Sequence, residues 1–452
     1  MSIRLDWEIE AEHEHLRTAE EDPEAKRRRR IARTRFLILL TVVVLLIGAA
    51  AGSAALRLRY VDWQIEQQLR DTVAAEVATL RIGDLEAYLR MQRSASDAWL
   101  QYQQNIFAEY QALKTQPNTA LTGTITGLEI DGTRARVQLQ EVVGGVPYEL
   151  LWFYWRYEDG WRHVPLDTTF WGESRTLTAE RVTVRYFAVD QPMGQQVSDR
   201  FNGWIDRACG VIDCAALPSI TIEIVPDSGA VNGWVNDAEW RMRLASPLIE
   251  RMPSAQPFVP SLQLAAASAL AERLTGYATD FMQVMYPADA YYLRQAFISY
   301  LVGRMTGTQT NSFLLQSLER RYGEAAVRAF ADVLQPGSSM AMFAPLLNLA
   351  SPADADLDWR DLLTWRLALE NELIARGAQA EFLSLYDTAD PAVSQLAVQR
   401  YFNGGSPSAV VTEAIPGRDA QGNAILETAV STNDGTLTIL FRMVDGVWKR
   451  AN

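Results

Sequence analysis

The stretch SLQLAAASALAERLTG, Ser261 to Gly276, predicts one uninterrupted helix near the middle of the chain. Alanine and leucine dominate it, and both are strong helix formers. Its apolar residues recur at the spacing of a helix face that a core would cover. The chemistry open to this part of the protein therefore depends on the side chains of that face.

Strands and helices alternate on both sides of this helix. Two β-branched strands flank an upstream helix, an extended stretch follows, and another helix lies downstream. In chain order these elements are RVTVRYFAVDQ, GQQVSDRFNGWIDRACG, SITIEIVP, EWRMRLASPLI and YYLRQAFISYLVGRM, followed by Tyr322-Gly323 and Asp358-Trp359-Arg360. The order resembles the gluzincin metallopeptidases, the thermolysin-like or peptidase MA-like group, and implies a gluzincin-like domain over residues 174–366.

The resembled family binds zinc through two histidines on this helix and a glutamate on a later one. Two imidazoles one turn apart can hold one ion, while a Glu between them activates water. On that pattern the histidine positions fall on Ala266 and Leu270, and the general base falls on Ala267. The third ligand falls on Gln295. Alkyl side chains cannot bind zinc, and a neutral amide is a poor substitute for a carboxylate.

The sequence therefore predicts a pseudopeptidase domain with no cofactor, no metal and no catalytic residue. The three histidines, His13, His15 and His163, all lie outside it. Glu272 and Asp280 alone would make only a weak site for a hard cation. A groove for an extended peptide does not need zinc, because strand pairing and side-chain pockets can hold the chain. We expect such a relic cleft to be lined by Ala266, Ala267, Leu270 and Gln295.

Length, composition and charge constrain the rest of the chain. With 452 residues, 48% of them hydrophobic, it is long enough for two or three domains with substantial cores. A formal net charge of -13 argues against nucleic acid as a partner, because phosphate backbones favour clustered Lys and Arg. The predicted fold class is α+β with several domains.

One basic cluster, KRRRRIARTR (26–35), precedes an uncharged run, FLILLTVVVLLIGAAAGSAAL (36–56). At about 1.5 Å per helical residue, this run spans the roughly 30 Å of bilayer hydrocarbon. Because basic residues stay in the cytoplasm, we expect residues 1–35 inside and the chain after Arg57 outside. The prediction is a single-pass protein of the cell membrane. A cleaved signal peptide is the alternative, although the apolar run is long for one.

Helices followed by strands make up the segment 57–173. VDWQIEQQLRDTVAAEVATLRIGDLEAYLRMQ and SDAWLQYQQNIFAEYQALK have helical periodicity, and aromatic-rich strands meet at the turn Glu158-Asp159-Gly160. This order resembles the SnoaL-like group of the nuclear-transport-factor-like cone superfamily. The resemblance implies a cone that serves as a ligand pocket or as an interaction module, and the whole arrangement resembles a bacterial membrane protein.

Two features of this first cone-like segment suggest binding or chemistry. In LWFYWRY, strand alternation places Trp152, Tyr154 and Arg156 on one face, which either packs against a neighbouring domain or lines a ligand pocket. His163, flanked by Asp159 and Asp167, follows a turn, so a surface or capping role is expected. Acid–base catalysis inside the cone is the alternative for this histidine.

The sequence pattern of the C-terminal segment 367–452 is similar to that of the first cone-like segment. LFRMVDGVWKRAN reads like YWRYEDGWRHVP, with Asp445-Gly446-Val447-Trp448 where Asp159-Gly160-Trp161 stands. Helical sequence again precedes the strands. We interpret this segment as a second, smaller cone-like domain and an internal repeat.

Cys209 and Cys214 are the two cysteines, in RACGVIDCAAL. Outside the membrane a local disulfide is expected, with two free thiols as the alternative. A zinc site would need more ligands nearby than this pair offers.

The predicted function is that of a non-catalytic scaffold, or a peptide- or protein-binding module, anchored by residues 36–56. The alternative is a small-molecule or lipid-binding sensor that uses a cone pocket and signals through the tail 1–35.

Overall fold

The computed structural model describes residues 23–227, 229–230, 232–279, 288–404 and 409–452, so His13, His15 and Asp280 lie outside it. The described chain has an α+β fold, as the sequence predicts, and it contains twelve helices and three sheets. It forms two compact units. The first comprises Met1–Gln111, Ile130–Ala135 and Tyr154–His163, and the second comprises Ala112–Glu129, Arg136–Phe153 and Val164–Asn452.

The first unit is built on one long helix, α1 (Pro23–Ile82). It is long and apolar enough to cross a membrane, and its most apolar stretch is exposed in the described chain. In its C-terminal part the same helix is amphipathic, and Leu69, Val73 and Leu80 on one face are buried. Two further helices, α2 (Leu85–Arg90) and α3 (Asp97–Leu113), follow it.

The first sheet contains β1 (Ala120–Asp131), β2 (Arg134–Val143), β3 (Val146–Tyr157) and β4 (Gly160–Val164). Its order is β1-β2-β3, with β4 also paired to β3. A later two-residue strand, β10 (Met252–Pro253), pairs antiparallel with β3, with Met252 opposite Glu149. The strands predicted from the aromatic-rich sequence are therefore present.

The second, central sheet has the order β5-β6-β7-β9-β8. Its strands are β5 (Ser174–Ala179), β6 (Val182–Phe187), β7 (Ile220–Val225), β8 (Gly233–Trp234) and β9 (Arg241–Ala245). The three middle strands are parallel and both edge strands are antiparallel to their neighbours. Parallel neighbours need a crossover, and α4 (Gln191–Cys209) supplies it between β6 and β7.

Two helices pack together beside this sheet, α5 (Pro260–Thr279) and α6 (Asp289–Thr306). Alternate strand residues such as Ile222 and Leu244 share one hydrophobic core with both helices. Four shorter helices continue this part of the unit: α7 (Phe313–Tyr322), α8 (Glu324–Val333), α9 (Phe343–Leu346) and α10 (Arg360–Ala375). The predicted helix in the opening stretch is α5.

The third sheet follows two more helices, α11 (Gln379–Ser384) and α12 (Pro391–Asn403). Its strands are β11 (Val410–Arg418), β12 (Ala424–Thr432), β13 (Gly435–Val444) and β14 (Val447–Arg450), in that order. Leu426, Phe441 and Trp448 on one face join the hydrophobic core of the central sheet. The third sheet therefore shares a core with the central segment, while the helices before it bury a smaller cluster of their own that includes Phe382 and Tyr386.

The last strands of the first and third sheets make the same backbone contacts. His163 on β4 donates its N–H to the carbonyl of Met91 at 2.9 Å, and Arg450 on β14 donates to Leu385 at 2.9 Å. In both cases the strand passes beside the turn that follows a short helix, α2 or α11. The same type of backbone hydrogen bond thus occurs at the two places where the sequence patterns are similar.

A buried carboxylate accompanies each of these contacts. Glu76 on α1 lies 2.7 Å from Nδ1 of His163. Glu370 on α10 lies 3.2 Å from Nη1 of Arg450. Both carboxylates are almost fully buried, so each strand end provides the positive or hydrogen-bonding partner that such a group requires.

Asp190 is a third buried carboxylate, placed at the start of α4. The indole N–H of Trp171 donates to its Oδ2 at 2.8 Å, and the Ser246 hydroxyl donates to its Oδ1. Burial outweighs these hydrogen bonds and raises the pKa of Asp190 to about 6. The side chain therefore loses its proton only at a higher pH than an ordinary aspartate does.

Replacing Asp190 by Asn should remove one pH-dependent contribution to the free energy of unfolding. Because folding raises the pKa of Asp190, the protonated side chain stabilises the folded state fully below the pKa of an unfolded aspartate, about 4. This stabilisation is lost as the pH rises through about 6. It amounts to roughly 3 kcal/mol. Urea denaturation of the full-length protein in detergent should show a smaller fall in stability between pH 4 and pH 7 for the variant. Identical pH profiles of the two proteins would contradict this.

Candidate functional site

The candidate site lies where α5 and α6 meet the β8 edge of the central sheet. Helix α5 opens with Pro260, at a position where a missing backbone N–H costs no hydrogen bond. Further along it, Ala266, Ala267 and Leu270 are fully buried in the core. Gln295 on α6 is half-buried. Three of the four residues predicted for the relic cleft therefore contribute to packing, all on α5, and the fourth lies on α6, which contacts α5.

An arginine held between aromatic rings occupies the next turn of α5. The guanidinium of Arg273 lies 5.3 Å from the ring centroids of both Trp234 and Trp240, within the range of cation–π attraction. It also donates to the carbonyl of Glu239 at 3.1 Å. The Trp234 indole in turn donates to the carbonyl of Ala269 on α5 at 2.9 Å. These contacts hold the Trp234 side chain of edge strand β8 against α5.

The backbone of β8 has one side free of strand partners in the part of the chain that the structure describes. Val235 donates its N–H to the carbonyl of Arg241 at 2.9 Å. In an antiparallel pair, alternate residues direct their N–H and C=O groups to the partner strand and away from it. Trp234, next to Val235, therefore directs its backbone groups outward. An extended chain could pair there.

A second arginine, Arg294 on α6, is buried beside the same region of α5. Its Nη2 lies 3.7 Å from Oε1 of Glu272, too far for a hydrogen bond. Within the described chain its Nε and Nη2 make no hydrogen bond. Glu272 adjoins Arg273 in sequence, so both arginines lie near one turn of α5. This is a buried positive charge with unused donors.

His163 is buried in the first unit, with 5% of its surface exposed, so the expected surface or capping role is wrong. Strand β4 carries the ring inward, where Nδ1 lies 2.7 Å from Glu76. The neighbouring acids expected around it are engaged elsewhere, since Asp159 pairs with Arg162 at 2.9 Å and Asp167 caps Thr169. The partner of His163 is Glu76 on α1, far away in sequence, so the residues around His163 do not reveal it.

Glu76 accepts two further hydrogen bonds in the first unit. The Tyr154 hydroxyl donates to Oε2 at 2.7 Å, and the Gln92 amide donates to Oε1 at 2.7 Å. The Tyr154 ring also stacks on His163, with centroids 5.2 Å apart. Burial, followed by the nearby charge of Glu76, raises the pKa of Tyr154 well above its usual value, which keeps the hydroxyl a donor. Polar side chains thus fill this interior.

Of the other two residues predicted to share a face with Tyr154, Trp152 is also buried and Arg156 is half-buried. The Arg156 guanidinium lies 5.9 Å from the Trp161 ring centroid. Whether these residues line a ligand pocket stays a prediction.

Cys209 and Cys214 form a disulfide directly after α4. Helix α4 is held against β6 at its other end, where a Cβ on Gly194 would lie 2.8 Å from the Tyr186 ring. The disulfide thus closes a short loop at the end of a helix that is fixed on the sheet.

Sequence reasoning missed three of the side chains described above. Arg273 and Arg294 stand among apolar core residues of α5 and α6, and Glu76 stands at a core position between Val73 and Leu80. The available signal was a charged residue at a position that helical periodicity assigns to the core.

Comparison with protein-family models, with curated proteins and with solved structures found no match to this chain. Among the described residues, no group of three His, Cys, Asp or Glu side chains is placed to hold a metal ion.

Leu270→Ala should destabilise the second unit by about 2–5 kcal/mol, because it leaves a cavity in a fully buried position. Leu264→Ala, on the same helix but with Leu264 45% exposed, is the matched control and should cost much less. Denaturant unfolding of the full-length protein measures both. Equal effects would show that Leu270 does not pack in the core.

Tyr154→Phe should destabilise the first unit by about 1–3 kcal/mol, since one donor to the buried Glu76 is lost. Tyr157→Phe is the control on the same strand, because the ring of Tyr157 still faces the Arg93 guanidinium at 4.3 Å. Thermal unfolding compares the two variants. A neutral Tyr154→Phe would mean that the hydroxyl does not stabilise the carboxylate.

Proposed function

We propose that this protein is a membrane-anchored, non-catalytic binding module exposed outside the cytoplasm. Its central segment, 174–366, acts as a gluzincin-like pseudopeptidase domain between two cone-like domains, 57–173 and 367–452. The repeated backbone contacts of β4 and β14 support the interpretation of two related cones.

The anchor is the part of α1 over residues 36–56. Its apolar side chains are exposed in the described chain, which suits contact with lipid. The basic residues 26–35 come before it and support a cytoplasmic N-terminal tail by the positive-inside rule. The remaining chain is then extracytoplasmic, an environment compatible with the Cys209–Cys214 disulfide.

One observation carries the non-catalytic part of the proposal. Ala266, Ala267 and Leu270 stand where the resembled family has two zinc ligands and its general base, and all three are fully buried. Their side chains offer neither a lone pair nor a proton to a substrate. The half-buried amide of Gln295 replaces the remaining carboxylate. We infer that this helix face stabilises the core instead of performing hydrolysis.

Edge strand β8 supports binding of an extended peptide. Trp234 directs backbone groups outward, and its indole is fixed by Ala269 and by Arg273. Strand addition gives affinity through main-chain hydrogen bonds, while neighbouring side chains select the sequence. We propose that a protein or peptide partner pairs with β8. The sensor alternative has weaker support, because Tyr154, a residue predicted for the cone pocket, donates its hydroxyl to the buried Glu76.

Site-specific photo-crosslinking in intact cells tests this proposal. A photoreactive amino acid is placed at Gly233 on β8, where an added side chain meets nothing within 4 Å. A reproducible protein adduct, identified by mass spectrometry, is expected from this position. Gly337, which is equally unobstructed, is the control position and should not form that adduct. No adduct at Gly233, or the same adduct at both positions, would contradict binding at the β8 edge.

A further inference from the structure

We infer that the binding region beside α5 and α6 recognises a carboxylate of its peptide ligand through Arg294. This inference rests on the peptide-binding function proposed above and adds the chemical class of one ligand side chain, Asp or Glu.

Arg294 is charged and almost fully enclosed, since only 5% of its side chain is exposed. A buried charge is costly unless it is paired and hydrogen-bonded. Yet Nε and Nη2 have no hydrogen-bond partner within the described chain. These two nitrogens lie on one edge of the planar guanidinium, the edge that a carboxylate can bind with both oxygens.

Glu272 shows from which side such a carboxylate can arrive. Its Oε1 lies 3.7 Å from Nη2 of Arg294, while 60% of its own side chain is exposed to solvent. The two nitrogens are themselves sealed from solvent, so a ligand carboxylate reaches them by displacing the exposed Glu272 side chain. Because Glu272 makes no hydrogen bond to Arg294, a ligand carboxylate that does so can displace it with a net gain.

Arg273 does not compete for this role. Its guanidinium is held between Trp234 and Trp240 and donates to the carbonyl of Glu239. Trp234 also belongs to β8, so the aromatic residues connect the proposed strand-pairing edge to the turn of α5 that carries Glu272. A peptide paired with β8 would therefore lie on the side of α5 from which Arg294 is reached.

Selection from a random dodecapeptide library on the full-length protein in nanodiscs tests the inference. We expect enriched peptides to share Asp or Glu at one position. Selection on Arg294→Gln should still enrich peptides but lose that preference, and selection on Glu272→Gln should strengthen it. Arg376→Gln, which removes an exposed arginine paired with Glu372 at 2.7 Å, is the control and should behave like the unaltered protein.

Binding of one selected peptide then gives the magnitude. Replacing its conserved Glu by Gln should weaken binding to the unaltered protein roughly tenfold or more, as expected for a lost charge-assisted hydrogen bond. The same replacement should have little effect on binding to Arg294→Gln. Arg294→Lys keeps the charge in case the Gln variant fails to fold, and it should retain part of the acidic preference.

The outcomes separate the two claims. The role of Arg294 is overturned if the enriched peptides share no acidic position. It is also overturned if the acidic preference persists at full strength in both Arg294→Gln and Arg294→Lys. Either result leaves peptide binding intact. If no peptide is enriched by the unaltered protein, peptide binding at β8 fails, and the carboxylate preference fails with it.

Discussion

The burial of one face of α5 against the central sheet is the constraint on which the rest of this protein depends. A helix face at the centre of a core must be apolar, or its polar groups must be fully bonded. Here it is apolar, because Ala266, Ala267 and Leu270 are completely enclosed. This face therefore joins sheet and helices by packing. The exposed side of this helix, where Glu272 lies, is the part that remains open to a ligand.

Buried charges are the second recurring feature. Glu76 and Glu370 are both buried on helices, and each contacts a residue from the last strand of a sheet, His163 or Arg450. Removing a partner from such a group leaves an unpaired buried charge, which costs more than the pair contributes. This explains why polar residues can persist at positions where helical periodicity predicts core. Arg294 differs from these groups, since two of its nitrogens have no hydrogen-bond partner in the described chain.

Local patterns predicted much of the fold from the sequence. The helix at Ser261–Gly276, the strands around LWFYWRY and the apolar helix before Arg57 all depend on residues close together in the chain. The role of His163 was predicted wrongly because its carboxylate partner lies on α1, and sequence spacing gives no information on that contact. The shared core of the central and C-terminal segments depends on long-range packing of Trp448 near Trp359, with ring centroids 6.1 Å apart, which periodicity cannot reveal.

The candidate site shows the same division. The absence of ligating atoms at Ala266 and Leu270 follows from residue identity alone. The outward backbone of Trp234 and the unused donors of Arg294 depend on strand register and on the packing of α6 against α5. The type of side chain at a position can be read from a sequence, whereas a site assembled from an edge strand and two helices requires the structure.

The metal content of the purified full-length protein, together with its unfolding in the presence and absence of a strong zinc chelator, tests the central claim most directly. The account predicts far less than one zinc per chain and the same denaturation midpoint in both conditions, because packing and not a metal stabilises the α5 face. One zinc per chain, with a midpoint that falls when the chelator is added, would contradict it.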